Sequence, residues 1–188
     1  MNETIQTILL RRSIRAYQPR QIGEVELQEI TLAGQYAPTA MWQQPWHFTV
    51  LQNHDLIEKL QLLCKSFFLH SDNADLRAMA SREDYHLFYH APTLLIVSGD
   101  CKAITPLQDC LLAMENMLLV AASLGIGSCW VHSVVMLCGN DEGAAAFKSL
   151  GLGVSEGYLP HAAAVFGYSA MPLPEAEPRK SRRVNVVR

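Results

Sequence analysis

Apolar residues recur at helical spacing in three places early in the chain. Ile5, Ile8 and Leu9 share a face between Asn2 and Arg11, Leu27, Ile30 and Gly34 between Glu24 and Tyr36, and Leu56, Leu60, Leu63 and Phe67 between Asp55 and Phe68. Four short runs, Trp46–Leu51, Pro92–Ser98, Ser128–Ser133 and Ala162–Gly167, are apolar and mostly β-branched, aromatic or small, which predicts strands. Thr105 and Pro106 suit a cap and first helical position, and the apolar residues that follow predict a helix to about Leu124, stopped by Gly125. That helix is apolar nearly all round, so it is expected at the centre of the fold. Asp141–Leu150 reads as a further short helix. His70–His86 is polar and without a clear period, and about residues 64–88 are expected to form an excursion that acts as a lid. From Met171 the chain is rich in proline and charge and cannot build a core of its own. The order of elements predicts one α+β domain over residues 1–188, with helices around a sheet of four or five strands.

Composition agrees with a packed domain: of 188 residues, 49% are hydrophobic and 18% charged. The net charge of -3 argues against a general nucleic-acid binder. The longest apolar region, Leu111–Gly127, is interrupted by Glu115 and Asn116 with Asp109 just before it, which predicts a buried helix and not a membrane span. Five cysteines without a CxxC suggest reduced thiols in a cytoplasmic protein. Of the 15 basic residues, nine lie in two windows: Arg11, Arg12, Arg15 and Arg20 near the start, and Arg179, Lys180, Arg182, Arg183 and Arg188 at the end.

Three stretches carry candidate chemistry. RRSIR, Arg11 to Arg15, offers guanidinium forks and the Ser13 hydroxyl, a donor set that suits a phosphate monoester; as a solvated basic turn it would bind nothing. The tail motif PRKSRR could close such a site from another side or simply fray. Between them, Ala37–Phe48 (APTAMWQQPWHF) places two tryptophans, two prolines and two glutamines at a helix-to-strand junction. A plain turn needs no such surface, so this loop either plugs a core or lines a pocket for a flat ligand. Trp46 is expected in the core. His86 and His90 stand at i,i+4, but no third ligand is apparent, and no metal site is expected.

In order and spacing, RRSIRAYQP, YAPTAMWQQPWHFTVLQN, FYHAPTLLIVSGD, MENMLLVAASLGIGSCWVH, LGVSEGYLPHAAAVFGY and the later PRK resemble the flavin-dependent nitroreductase family over nearly the whole chain, apart from about residues 64–88. The resemblance implies a mixed α+β sandwich, with a mostly antiparallel central sheet flanked by helices, in an intertwined homodimer with FMN at the interface. Arg11, Arg12, Ser13 and Arg15 match positions that hold the FMN phosphate and ribityl chain, joined by Arg179 or, as alternatives, Lys180 or Arg182 from the tail. Pro38 and Thr39 match residues that contact the isoalloxazine from the neighbouring subunit, and Trp130, Val131 and His132 match the strand beside the ring. Where the family carries an asparagine that contacts the flavin, this chain has Trp42, whose indole has one donor and no acceptor.

The activity so implied is NAD(P)H oxidation by hydride transfer to the flavin, followed in the same pocket by reduction of a small electron-poor acceptor, in ping-pong order. No GxGxxG is present, and a shared pocket needs none. His132 is the candidate polar group nearest the ring. A flavin-binding or regulatory module with little turnover is the alternative, motivated by Trp42. A polyanion binder using the terminal arginines is a further one.

Overall fold

The computed structural model describes residues 1–181 and 183–188. Four strands, β1 (Trp46–Leu51), β2 (Thr93–Asp100), β3 (Gly127–Val131) and β4 (Tyr158–Gly167), form one sheet in the order β1-β2-β4-β3. Every neighbouring pair is antiparallel, with Phe48 opposite Val97, Ile96 opposite Ala163 and Cys129 opposite Val165. Seven α-helices lie around the sheet among the described residues: α1 (Glu3–Leu10), α2 (Glu24–Gln35), α3 (His54–Leu69), α4 (Ala74–Ser81), α5 (Pro106–Ser123), α6 (Ser133–Leu137) and α7 (Asp141–Phe147).

Both faces of the sheet are covered, which explains why β2 reads as an unbroken apolar run instead of an alternating one. Leu95 and Val97 point toward Ile30 of α2 and Met114 and Met117 of α5. Leu94 and Ile96 point the other way, into a core with Leu60 of α3, Phe88 and Val134 of α6. Successive strand residues thus feed two separate cores. The expected central helix is α5, and Gly125 at φ +73 ends it by a left-handed turn that a side chain would resist.

The α+β architecture is as expected, with four strands. Several boundaries differ. Ser133 was expected in the third strand, but it opens α6, with His132 as its N-cap residue. The β-branched pair Val134 and Val135 hid that helix in the sequence. β2 continues through Gly99 and Asp100, and β4 begins at Tyr158, before the alanines. Pro160 is accommodated because the register shifts between Val97 and Ser98, opposite it. Residues 64–88 are folded: Cys64 and Phe68 end α3 inside the core, α4 follows with its Asn73 cap, and Leu87 and Phe88 are buried. From Met171 onward the described residues hold no helix or strand.

Candidate functional site

The basic segment lies along β3. The amide of Ile14 donates to the Ser128 carbonyl at 2.9 Å, and Ser13 forms an isolated parallel bridge with Ser128. Further on, Gln18 N–H donates to Tyr168 O and Ala170 N–H to Ala16 O, so the segment is clamped between β3 and the chain leaving β4. The guanidiniums of Arg12 and Arg15 take separate directions. Arg12 folds back, its Nη1 donating to the carbonyls of Leu9 and Arg11, each at 2.8 Å, while its Nε is buried without a partner. Arg15 reaches over the Tyr89 ring, 5.9 Å from its centroid, and the neighbouring Tyr89 phenol holds its pKa up. Beside Arg11 and Arg12 opens a groove of about 540 Å³, walled by Leu10, Ile14 and Gly125–Ser128.

At the far end of β3, Trp130 is half exposed, Val131 buried and His132 exposed. The Trp130 and His132 rings are 5.4 Å apart. They share a cavity of about 210 Å³ with Tyr85, Tyr89 and Met136. Burial pushes the Tyr85 phenol up to about 12, so it stays a neutral donor. Cys129 is likewise raised by burial, with the opposing pull of Arg15 next in size, and remains a packed thiol.

The aromatic loop sits elsewhere. Thr39 Oγ1 donates to Asp109 Oδ2 at 2.8 Å, and Ala40 N–H reaches the same oxygen at 3.4 Å. Thr105 Oγ1 donates to Asp109 Oδ1 at 3.0 Å. Gln44 N–H donates back to Thr39 Oγ1 at 3.0 Å, and Gln43 Oε1 accepts Ile104 N–H at 2.9 Å. Asp109, 3% exposed, is therefore the hub that straps the loop to α5. Sequence reasoning missed it. The only signal was an acid opening an otherwise apolar helix four residues after Thr105. Thr105 does precede α5 as its N-cap residue, but its hydroxyl serves this carboxylate and no backbone amide. Met41, Trp42 and Gln44 all have left-handed backbone, at φ 51, 58 and 45. The indole of Trp42 is 86% exposed, and Pro38 beside it is exposed too.

Within one chain these residues form two groups. The loop precedes β1 and the basic segment flanks β3, on opposite edges of the sheet with β2 and β4 between them. Three strand spacings put the edges about 14 Å apart. Arg179 is exposed and donates to the Glu177 carbonyl at 3.0 Å, near neither group in hydrogen bonding; Lys180 is also exposed. Arg182 lies outside the described residues.

Comparisons with known proteins place this geometry. The sequence model of the Nitroreductase family matches residues 8–168. An Archaeoglobus fulgidus protein with the provisional name NADH dehydrogenase/NAD(P)H nitroreductase is 30% identical over 173 residues, covering 89% of this chain and 86% of its own. A Bacteroides fragilis nitroreductase solved with bound FMN superposes with a TM-score of 0.91 at 39% identity, over 100% of both chains. A Desulfitobacterium hafniense nitroreductase, also with bound FMN, does so with a TM-score of 0.85 at 26% identity, again over 100% of both chains.

Proposed function

The chain belongs to the nitroreductase family, and from that premise we propose that it is an FMN-dependent oxidoreductase that uses NAD(P)H to reduce small, flat, electron-poor acceptors of nitroaromatic, quinone or enone type. Its relatives support both halves of that reading: solved ones at 39% and 26% identity carry FMN, and a sequence relative at 30% identity bears an NAD(P)H nitroreductase name. FMN when bound supplies the two-electron chemistry, accepting a hydride equivalent from the nicotinamide and yielding electrons to the acceptor.

The residues present fit that cofactor. The observation that carries the assignment is the buried, unpartnered Nε of Arg12, in a segment that also holds Arg11, Ser13 and Arg15. A buried donor without an acceptor is costly, and a phosphate oxygen would satisfy it by a charge-assisted bond. Arg11, Arg12, Ser13 and Arg15 are proposed to hold the phosphate and the adjoining end of the ribityl chain, with Arg179 or Arg182 closing from the tail. Trp130 offers a flat face for the ring, and Val131 keeps that part of β3 fixed in the core. His132 is the exposed polar group beside it, placed to donate to an acceptor oxygen.

The ring-facing loop of Pro38, Thr39 and Trp42 lies on the opposite sheet edge, so a complete site needs a second copy of the chain. Reciprocal exchange in a homodimer then builds two sites. Exposed apolar residues on α1 (Ile5, Ile8, Leu9) and α5 (Leu107, Leu111, Leu112) are the surface proposed to be covered. Each strapped loop would present Trp42 to the partner's ring, narrowing the pocket to flat acceptors and excluding water from it.

The test is the visible spectrum of freshly purified protein, chromatography of any released chromophore, and anaerobic addition of NADH or NADPH followed by a quinone. Bound FMN that bleaches with a nicotinamide and recovers with the quinone is the expected result. FMN that stays oxidised with excess of both donors would leave a flavin-binding module. A protein that neither carries nor takes up FMN would overturn the reading.

A further inference from the structure

We propose that Glu58, His90 and His54 form a binding site for one divalent transition-metal cation of zinc type, with His86 holding the carboxylate in place. In the sequence His86 and His90 lacked a third ligand. The fold brings Glu58 and His54 of α3 beside them, so that three imidazoles surround one carboxylate oxygen. Glu58 Oε1 lies 3.0 Å from His86 Nε2, 3.9 Å from His90 Nδ1 and 3.9 Å from His54 Nε2. The ligand atoms of Glu58, His86 and His90 all lie within 4.8 Å of one another.

The roles of the histidines follow from their hydrogen bonds. His86 Nδ1 accepts the amide N–H groups of Phe88 at 3.1 Å and His90 at 3.3 Å. That fixes the proton on Nε2, which donates to Glu58. With no free lone pair toward the carboxylate, buried His86 is a positioning residue, orienting Glu58 as outer hydrogen bonds orient metal ligands elsewhere. His54 and His90 are free to ligate, with side chains 80% and 71% exposed. His54 and Glu58, one turn apart on α3, form a chelating pair. A tetrahedral ion with bonds of about 2.1 Å separates its ligands by about 3.4 Å. His54 and His90 each stand 3.9 Å from Glu58 Oε1, and their exposed side chains can turn toward an ion held there. Two nitrogens and one carboxylate favour Zn²⁺, Co²⁺ or Ni²⁺ over Mg²⁺ and Ca²⁺, which prefer oxygen, and over thiophilic Cu⁺. Exposed Asp55, with a carboxylate oxygen 3.8 Å from His54 Nδ1, adds negative potential.

The site also has a structural consequence. Tyr89 and His90 both have left-handed backbone, at φ 53 and 52, and Tyr89 carries the ring beneath Arg15. An ion between α3 and His90 would brace that turn behind the basic segment. Cation binding itself does not depend on flavin.

The test is titration of the chelator-stripped, flavin-loaded protein with Zn²⁺ by calorimetry and with Co²⁺ by visible absorption. One ion per chain is expected, with Co²⁺ ligand-field bands and no thiolate charge-transfer band, since the cysteines take no part. Glu58→Gln and His90→Asn should each weaken binding at least tenfold; asparagine is chosen because it tolerates left-handed backbone. His54→Ala should weaken it less than His90→Asn does. Circular dichroism and melting of each variant separate lost ligands from lost fold. Absence of binding, a thiolate band, or affinity unchanged in the folded Glu58→Gln and His90→Asn variants would each overturn the proposal.

Discussion

At the β1 edge the hydroxyls of Thr39 and Thr105 and the amide of Ala40 all close on Asp109, whereas at the β3 edge Arg12 keeps a buried Nε with no partner and Arg15 rests on an aromatic face. The first region spends its polarity inside the chain. It holds three left-handed residues in place and leaves a bare indole outside. Such strain persists only where surroundings over-determine the backbone. The second region is anchored through its main chain, by Ile14 to Ser128 and Gln18 to Tyr168, and leaves the Arg12 Nε without an acceptor. A rigid aromatic platform and an adaptable cationic cradle suit the two ends of one ligand, a flat ring and a phosphate.

The largest effect is expected from emptying the cradle. Arg12→Ala with Arg15→Ala should weaken FMN binding by about 100-fold, because two charge-assisted hydrogen bonds are together worth about 3 kcal/mol. Riboflavin, which lacks the phosphate, should lose only a few-fold. Parallel titrations of both ligands decide the matter, and equal losses would remove these arginines from the phosphate.

Breaking the platform should act on stability first. Asp109→Ala leaves two hydroxyls and an amide short of an acceptor beside a buried core, a cost of about 3 kcal/mol. For a chain of this size that is a fall in Tm of about 6–12 °C. Asp109→Asn retains one acceptor oxygen and should lose about half as much. If both variants melt with the wild type, the strap is not what holds the loop.

How much of this was legible in advance depends on range. Trp46–Leu51 was readable as a strand because its neighbours punctuate it, and β2 because burial on both faces leaves it apolar throughout. Asp109 meets Thr39 across 70 positions, and Glu58 meets His86 across 28, and no local pattern announces either contact. α6 was hidden because Ser-Val-Val carries strand propensity while its tertiary contacts, with Val134 and Leu137 buried, impose a helix. The donor set at Arg11–Arg15 and the aromatic loop at Ala37–Phe48 were readable from residue types, whereas Trp130, Val131 and His132 were readable only through resemblance to a family. That they divide between opposite sheet edges follows from strand order, which the sequence does not display.

Trp42 sharpens the contrast on a smaller scale. At φ 58 an asparagine is more comfortable than an indole, which gives the family's asparagine at this position a backbone reason as well as a polar one. Trp42→Asn should raise stability by about 0.5–1 kcal/mol, whereas Trp42→Ala, equally averse to left-handed backbone, should gain nothing. A stabilised Trp42→Asn protein with a lower kcat/KM for flat acceptors would show that the indole is kept for function. Melting curves alone test the backbone part, and an Asn variant no more stable than the Ala variant would refute it.

Acid should distinguish the edges with the smallest effect. Burial lowers the pKa of His86 below its ordinary 6.5, with His90 adding to that and Glu58 opposing it. Protonation would also turn Nδ1 from acceptor to donor, against the amides of Phe88 and His90. The unfolded chain therefore binds the proton more readily than the folded one. The stability this histidine contributes is complete above about pH 6.5 and falls as pH drops through the lower folded value. His161, also lowered by burial, adds a slope of the same sign. Between pH 7.5 and 5.5, hydrogen exchange corrected for its intrinsic pH dependence should quicken at the Phe88 and His90 amides and hold steady at Ala40 and Gln44. In His86→Gln the pH dependence of Tm should flatten and only the His161 share should remain. An unchanged slope in that variant would mean that the turn behind Arg15 does not sense the His86 proton, and that the cradle is as rigid toward acid as the platform.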